Sequence, residues 1–202
     1  LTGDGGDESF AGYKRYEDLA FASRQPAWRR RLTRLSAIIP SALFSPEAKF
    51  ARRLQLDALD PVMQHEERQA MFSHWLMSRL LGERFRAVED VDFFGEHRAC
   101  TGAEWHDVDA AQFIDLRMYL PGDILTKVDR TSMACSLECR VPLLDHQVTE
   151  FSASLSIGLK VRGGVRKYLL KRLAERYVPR ELLYRPKMGF RIPIRRWFKR
   201  DL

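Results

Sequence analysis

The chain has 202 residues, 45% hydrophobic and 30% charged, and its 34 basic and 27 acidic side chains leave a net charge of +7. This balance supplies enough apolar material for a real core and no apolar run of the ~20 residues needed to cross a bilayer. The acidic opening excludes a signal peptide, and the basic excess without a nucleic-acid motif points to a polyphosphate ligand or a solvated basic face rather than to DNA or RNA.

In chain order, helical periodicity dominates. Phe10 to Ala22 reads as a helix opened by a Gly/Asp turn, and Pro26 separates it from a basic helix that ends before Pro40. Ser45-Pro46-Glu47 can start a short helix, with Ser as N-cap and Pro in the first turn. Met71, Phe72, Trp75, Leu76 and Leu80 form a core stripe, and Glu83 to Thr101 reads as loop-rich. Asp109 to Leu120 is helical until Pro121-Gly122 breaks it, and Asp123 to Ser136 is helical again. Cys139 to Leu144 reads as extended because Pro142 disfavours helix just before it. His146 to Leu155 and Val165 to Tyr177 are the last long helices, and Pro193 opens a final turn through Trp197. Strands are nearly absent, so the expected body is mainly α.

The three cysteines, Cys100, Cys135 and Cys139, are odd in number and lack zinc spacing. They read as buried, reduced thiols of a cytoplasmic protein, with Cys135 and Cys139 on one helix face.

Three stretches carry chemistry. In "LTGDGGDESFAGYKRY", glycines before a helix start let backbone N–H groups approach a phosphate. Carboxylates in the same turn would repel a bare phosphate, so they imply a bridging cation, with Asp7 as the Mg2+ ligand helped by Asp4 or Glu8. The alternative is an ordinary solvated loop that caps a helix. In "DILTKVDRTSMACSLECRVPLLD", Lys127, Asp129, Arg130, Glu138, Arg140 and Asp145 sit among apolar residues and are expected to be paired. In "YRPKMGFRIPI", Lys187 lies on a loop from which its ammonium can reach a phosphate. A solvated loop lysine is the alternative.

Taken together and in this order, "LTGDGGDESFAGYKRY", "YLPGDILTKVDRTSMACSLECRVPLLD" and "RKYLLKRLAERYVPRELLYRPKMGFRIPIRRWF" resemble the C-terminal synthetase domain of glutamine-hydrolysing asparagine synthetases. The match is weakest between about residues 25 and 105. The resemblance implies the C-terminal helical portion of an α/β nucleotide-binding domain of the ATP-pyrophosphatase type. It implies ATP and Mg2+ as cofactors, and an aspartate-like carboxylate that is adenylated and attacked by ammonia from glutamine. By the same match Gly3, Asp4, Gly5 and Gly6 line the pyrophosphate side of ATP, Asp7 helps hold Mg2+, and Glu8 supports the turn. Lys187 and Lys167 neutralise charge on the phosphates, and Glu138 with Arg140 shapes the substrate end. Asp4 stands where many members have Glu, and Ala11 replaces a usual Gly, which strains the backbone if φ there is positive.

The 202 residues contain neither a Ser-Gly-Gly-x-Asp-Ser pyrophosphate loop nor a glutaminase cysteine. The chain is therefore expected to be the C-terminal part of a longer synthetase with a glutaminase domain in cis, and to be inactive alone. Exposed apolar surface makes a homodimer an expectation. Two other readings stay open: a relative that amidates or cyclises another acceptor, and a non-catalytic helical binding module.

Overall fold

The computed structural model describes residues 1–24, 26, 56, 59–70, 77, 80–82, 92, 94–102, 104–186 and 193–201. The basic helix before Pro40, the helix after Ser45, most of the Met71–Leu80 stripe and Lys187 lie outside them. The chain forms two compact units, Leu1–Leu169 and Leu170–Leu202.

The first unit opens with α1 (Gly6–Ser9) and α2 (Lys14–Ser23). They are separate helices, where periodicity predicts one from Phe10. The chain turns at Phe10–Tyr13 because Ala11 takes a left-handed φ of 54°. Next come α3 (Pro61–Gln69), α4 (Gly95–Ala99) and α5 (Asp107–Ile114). Asp60 caps α3 by accepting from Val62 N–H at 2.9 Å, and Pro61 fills the first turn where its missing N–H matters least. The His106 ring caps α5 in the same way, accepting from Val108 N–H at 3.1 Å.

At Pro121 the structure departs from the expected break. A π-helical segment, Asp115–Leu125, carries α5 straight through the proline into α6 (Thr126–Met133). A widened turn relieves the clash between the proline ring and the preceding carbonyls, and Thr126 Oγ1 donates to Pro121 O at 2.6 Å. A 3-10 turn (Pro142–Leu144), α7 (His146–Ser154) and α8 (Ile157–Lys160) follow. Asp145 is the N-cap of α7, accepting from Gln147 N–H at 2.9 Å.

The helix expected over Val165 to Tyr177 forms only from Tyr168; its first residues are instead the second strand of a hairpin, β1 (Val161–Arg162) and β2 (Val165–Arg166), paired antiparallel. Gly163 and Gly164 have φ of 55° and 77°, the pair of positive values that a type I′ turn requires. Helix α9 (Tyr168–Ala174) then leads into the second unit, which holds α10 (Arg180–Leu183), α11 (Ile194–Arg196) and a π turn, Trp197–Asp201. There Glu175 accepts from Tyr184 OH at 2.7 Å and pairs with Arg172 at 2.6 Å.

The described residues are mainly helical, and no helix among them is long and apolar enough to cross a membrane. The thiols correct the expectation made for them. All three cysteines are free, but Cys100 and Cys135 are exposed and Cys139 half-buried. Cys135 and Cys139 share no helix, because α6 stops at Met133 and Ser136 turns the chain with a φ of 56°. The charges around them are not buried either: Glu138 and Arg140 pair at 2.9 Å on the surface.

The core of the first unit is Tyr16, Leu19 and Ala20 of α2 against Val108 and Ala111 of α5, closed by Ala11 and Val161. Each large side chain contributes about 1.5–3 kcal/mol by leaving water. Asp115, wholly buried, lies at the end of α5. Its Oδ2 accepts from Arg15 Nη2 at 2.8 Å and from the Tyr16 hydroxyl, and its Oδ1 accepts from Gln69 Nε2 at 2.5 Å and lies 2.9 Å from His65 Nε2. The His65 ring stacks on Tyr16 with centroids 5.6 Å apart. One carboxylate thus joins α2, α3 and α5. Burial alone would raise its pKa, but the bonds from His65, Arg15 and Tyr16 outweigh burial and hold it below the ordinary 3.8.

Asp115→Ala leaves the half-buried Arg15 guanidinium and the buried Tyr16 and His65 without their shared acceptor, so it is expected to lower stability by about 3 kcal/mol in denaturant melts of the full-length protein. Because the folded pKa is depressed, Asp115's contribution is complete above pH 3.8 and is lost as pH falls through the lower folded value. The gap between wild type and variant should therefore narrow only in that acid range.

Candidate active site

The opening residues run alongside the second polar stretch. Thr2 N–H donates to Arg140 O at 2.9 Å, which lays the Glu138–Arg140 run next to the Gly/Asp turn. The turn Asp4-Gly5 then leads into α1, whose first turn carries Asp7 and Glu8 where the helix dipole favours acids. The two acids differ in setting. Glu8 is buried and accepts from Tyr13 OH at 2.5 Å; burial pushes its carboxyl above the usual range, and the tyrosine bond only partly opposes this. Asp7 keeps about a fifth of its side-chain surface exposed.

The last carbonyls of α1 lack helical partners. Gln112 of α5 supplies them, its Nε2 donating to Ser9 O at 2.8 Å and to Glu8 O. Gln112 is itself held by the buried Lys160, whose Nζ lies 3.0 Å from Gln112 Oε1 and 2.7 Å from Asp109. These residues, with Trp105, Phe113 and Ile157, also border a cavity of about 530 Å³ whose lining includes none of the turn's candidate phosphate or metal ligands.

The hairpin brings a second group to the turn. Arg166 Nη1 donates to Gly12 O at 3.3 Å and its Nε sits 3.5 Å from Glu17, fixing the exit of β2 beside the α1–α2 junction. The next residue, Lys167, has a φ of 53° and places Nζ 3.1 Å from Asp7 Oδ1. Beneath this pair, Gly12 N–H donates to Asp7 O at 2.7 Å. A Cβ on Gly12 would overlap both Asp7 Oδ1 and Lys167 Cε.

The sequence-predicted residues therefore divide. Asp7 and Lys167 meet as an ion pair. Glu138, two-thirds exposed, pairs with Arg140 and reaches the turn's neighbourhood through the Thr2 bond. Asp4 is half-buried in the turn, and Lys187 is not described. The glycines differ as well. Gly3 is exposed, and a Cβ there would meet nothing within 4 Å, which is the open approach a phosphate needs. Gly5 has a local reason to be glycine: its φ is 76° and a Cβ would run into the Leu144 side chain. Sequence reasoning missed Gly12 and Gln112, absorbing both into helical periodicity. The Gly-Gly of "VRGGVR" was the available signal for the hairpin that positions Lys167.

Among the described residues no three His, Cys, Asp or Glu side chains cluster as metal ligands. A Mg2+ site does not require such a cluster, because Mg2+ commonly takes one or two carboxylates and completes its shell with phosphate oxygens and water. Asp7, partly exposed beside a lysine, is the carboxylate that fits.

Comparison with known proteins adds the following. The family model described as asparagine synthase matches residues 1–202. The chain is 30% identical to "Asparagine synthetase [glutamine-hydrolyzing] 1" of Bacillus subtilis, an alignment covering 100% of this chain and 32% of that protein. It is 44% identical to an asparagine synthetase of Gallus gallus over 34% of this chain and 12% of that protein. It is 24% identical to "Amidase chry2" of Gibberella zeae, over 98% of this chain and 32% of that protein. The chain spans about a third of the length of the full-coverage relatives. No solved structure matches it significantly.

Gly5→Ala combines overpacking of about 1–3 kcal/mol with a left-handed L-residue at about 1–2 kcal/mol. A stability loss of about 2–5 kcal/mol is expected, partly restored by adding Leu144→Ala, as read by paired melts. At Ala11 the terms nearly cancel. Left-handed strain of about 1–2 kcal/mol opposes a buried methyl worth about 0.8 kcal/mol and glycine's extra chain entropy of about 0.5–1 kcal/mol. Ala11→Gly should therefore shift stability by less than about 1 kcal/mol.

Proposed function

Because the chain belongs to the asparagine synthase family, a family of amide-forming ligases, we propose that it is part of the synthetase domain of an ATP-dependent, amide-forming ligase. In this reading the domain is of the ATP-pyrophosphatase type, with the first pyrophosphate loop and a glutaminase domain contributed by chain outside these residues and a homodimer as the assembly. ATP with Mg2+ activates an aspartate-like carboxylate, and ammonia derived from glutamine replaces the activating group to give the amide, AMP and pyrophosphate.

The chain's own residues have separable tasks. Gly3 leaves room for phosphate oxygens at the turn, and Gly5 and Gly6 let the backbone turn tightly into α1 beside it. Asp7 helps hold Mg2+. Lys167 and Lys187 neutralise the charge that grows on the phosphates as the leaving group departs. Asp4 and Glu138 shape the end of the site that takes the carboxylate. The observation that carries the reading is the meeting of Asp7 and Lys167 at 3.1 Å, an acid from the first motif and a cation from the third, separated by 160 residues of sequence. A second reading, action on a different acceptor, is supported by the whole-chain match to a protein named as an amidase.

The test is ATP–pyrophosphate exchange and AMP release by the full-length protein, with aspartate and a panel of other carboxylic acids. Asp7→Asn and Lys187→Ala are each expected to lower kcat by about 10²-fold or more. Exchange with aspartate and loss in both variants is the expected result. Exchange only with another acid selects the second reading, and wild-type rates in both variants overturn the site.

A further inference from the structure

We infer that Gly12 is a positioning residue for the Asp7–Lys167 pair, kept as glycine to leave the space in which the metal-side carboxylate and the phosphate-side ammonium meet; this rests on the reading of those two side chains proposed above. The usual reason for a glycine at a helix junction is a left-handed backbone. That reason is absent here. The positive φ of the junction falls on Ala11, at 54°, and Gly12 is not among the glycines with positive φ. No left-handed φ forbids an alanine at position 12, so what the structure requires there is the lack of a side chain.

The missing side chain is specific in what it would displace. The two nearest groups to a Cβ on Gly12 are the Asp7 carboxylate and the Lys167 methylene next to Nζ. Neither is core, since each side chain keeps about a fifth to a quarter of its surface exposed. Both backbone polar groups of Gly12 are already used on the same two elements. Its N–H donates to Asp7 O at 2.7 Å, and its carbonyl accepts from Arg166, the neighbour of Lys167, at 3.3 Å. Gly12 is thus the floor on which α1 and the hairpin exit are joined, and the ion pair lies across it. A methyl added to that floor pushes the carboxylate and the ammonium away from each other while leaving the Tyr16–Leu19–Val108 core untouched.

The experiment is a double-mutant cycle on the full-length protein with Gly12→Ala, Asp7→Ala and the pair together, each read by melting midpoint and by Mg2+ titration of ATP–pyrophosphate exchange. Gly12→Ala alone is expected to raise the half-saturating Mg2+ concentration about tenfold, the lower end of what loss of a supporting residue does to metal affinity. Its effect on the midpoint should shrink by more than half in the Asp7→Ala background, where the obstructed oxygen is gone and the Lys167 side chain, released from its partner, can swing aside. Additive midpoint shifts, or an unchanged Mg2+ requirement, would overturn the assignment. Should Gly12→Ala alone fail to fold, Asp7→Ala must restore folding, and failure to do so also overturns it. If no acid supports exchange in the wild type, the ligase reading fails while the midpoint cycle still decides the role of Gly12.

Discussion

A single carboxylate organises the first unit. Asp115 is fully buried and takes hydrogen bonds from residues that lie 100 and 99 positions upstream, at Arg15 and Tyr16, and 50 upstream, at His65. A buried ion pair of this kind contributes little net stability against an apolar replacement, because desolvation offsets the attraction. Its effect is on arrangement. Only one mutual placement of α2, α3 and α5 satisfies all four donors. That placement sets α2, and through Tyr13 and Glu17 α2 fixes both the buried Glu8 and the exit of the hairpin. The geometry of the Gly/Asp turn is therefore inherited from a charge cluster outside it.

Within the turn, environment divides the labour between neighbouring acids. Glu8 is driven toward its neutral form by burial and acts through Tyr13 as a strut. Asp7, one residue earlier, stays accessible and is compensated by Lys167. Three acids in the turn would repel an incoming polyphosphate if all were exposed and unpaired. Withdrawing one and pairing another reduces that repulsion before any cation arrives. The glycines divide in the same manner: room at Gly3, backbone handedness at Gly5, and closeness of two side chains at Gly12.

The helices with strong punctuation were legible in the sequence. The helix read over His146 to Leu155 is α7, His146–Ser154, although the Asp145 cap that starts it reads in the sequence only as one of a set of paired charges. The motifs also pointed to Asp7 and Lys167 from opposite ends of the chain. What was not legible follows from physics that periodicity does not encode. Pro121 signals a stop in an α-helix, yet a π-helical register carries the chain past it. "VRGGVRKYLL" has a helix-like apolar rhythm, and the two-residue turn overrides it because both glycines can take positive φ at no steric cost. Thiols at 135 and 139 look buried from their apolar neighbours, but Met133 and Leu137 are themselves more than half exposed. The roles of Gln112 and Asp115 are tertiary, and no local pattern announces a partner 100 residues away.

The left-handed backbone at Lys167 has a consequence for which residues the position can tolerate. An L-residue held at a φ of 53° stores about 1–3 kcal/mol that glycine would release. Glycine or asparagine would relax the backbone at position 167, and either change would remove the ammonium from Asp7. The site thus sits on a local conflict between robustness and chemistry. A change that eases the backbone at this residue also takes away the charge that compensates Asp7.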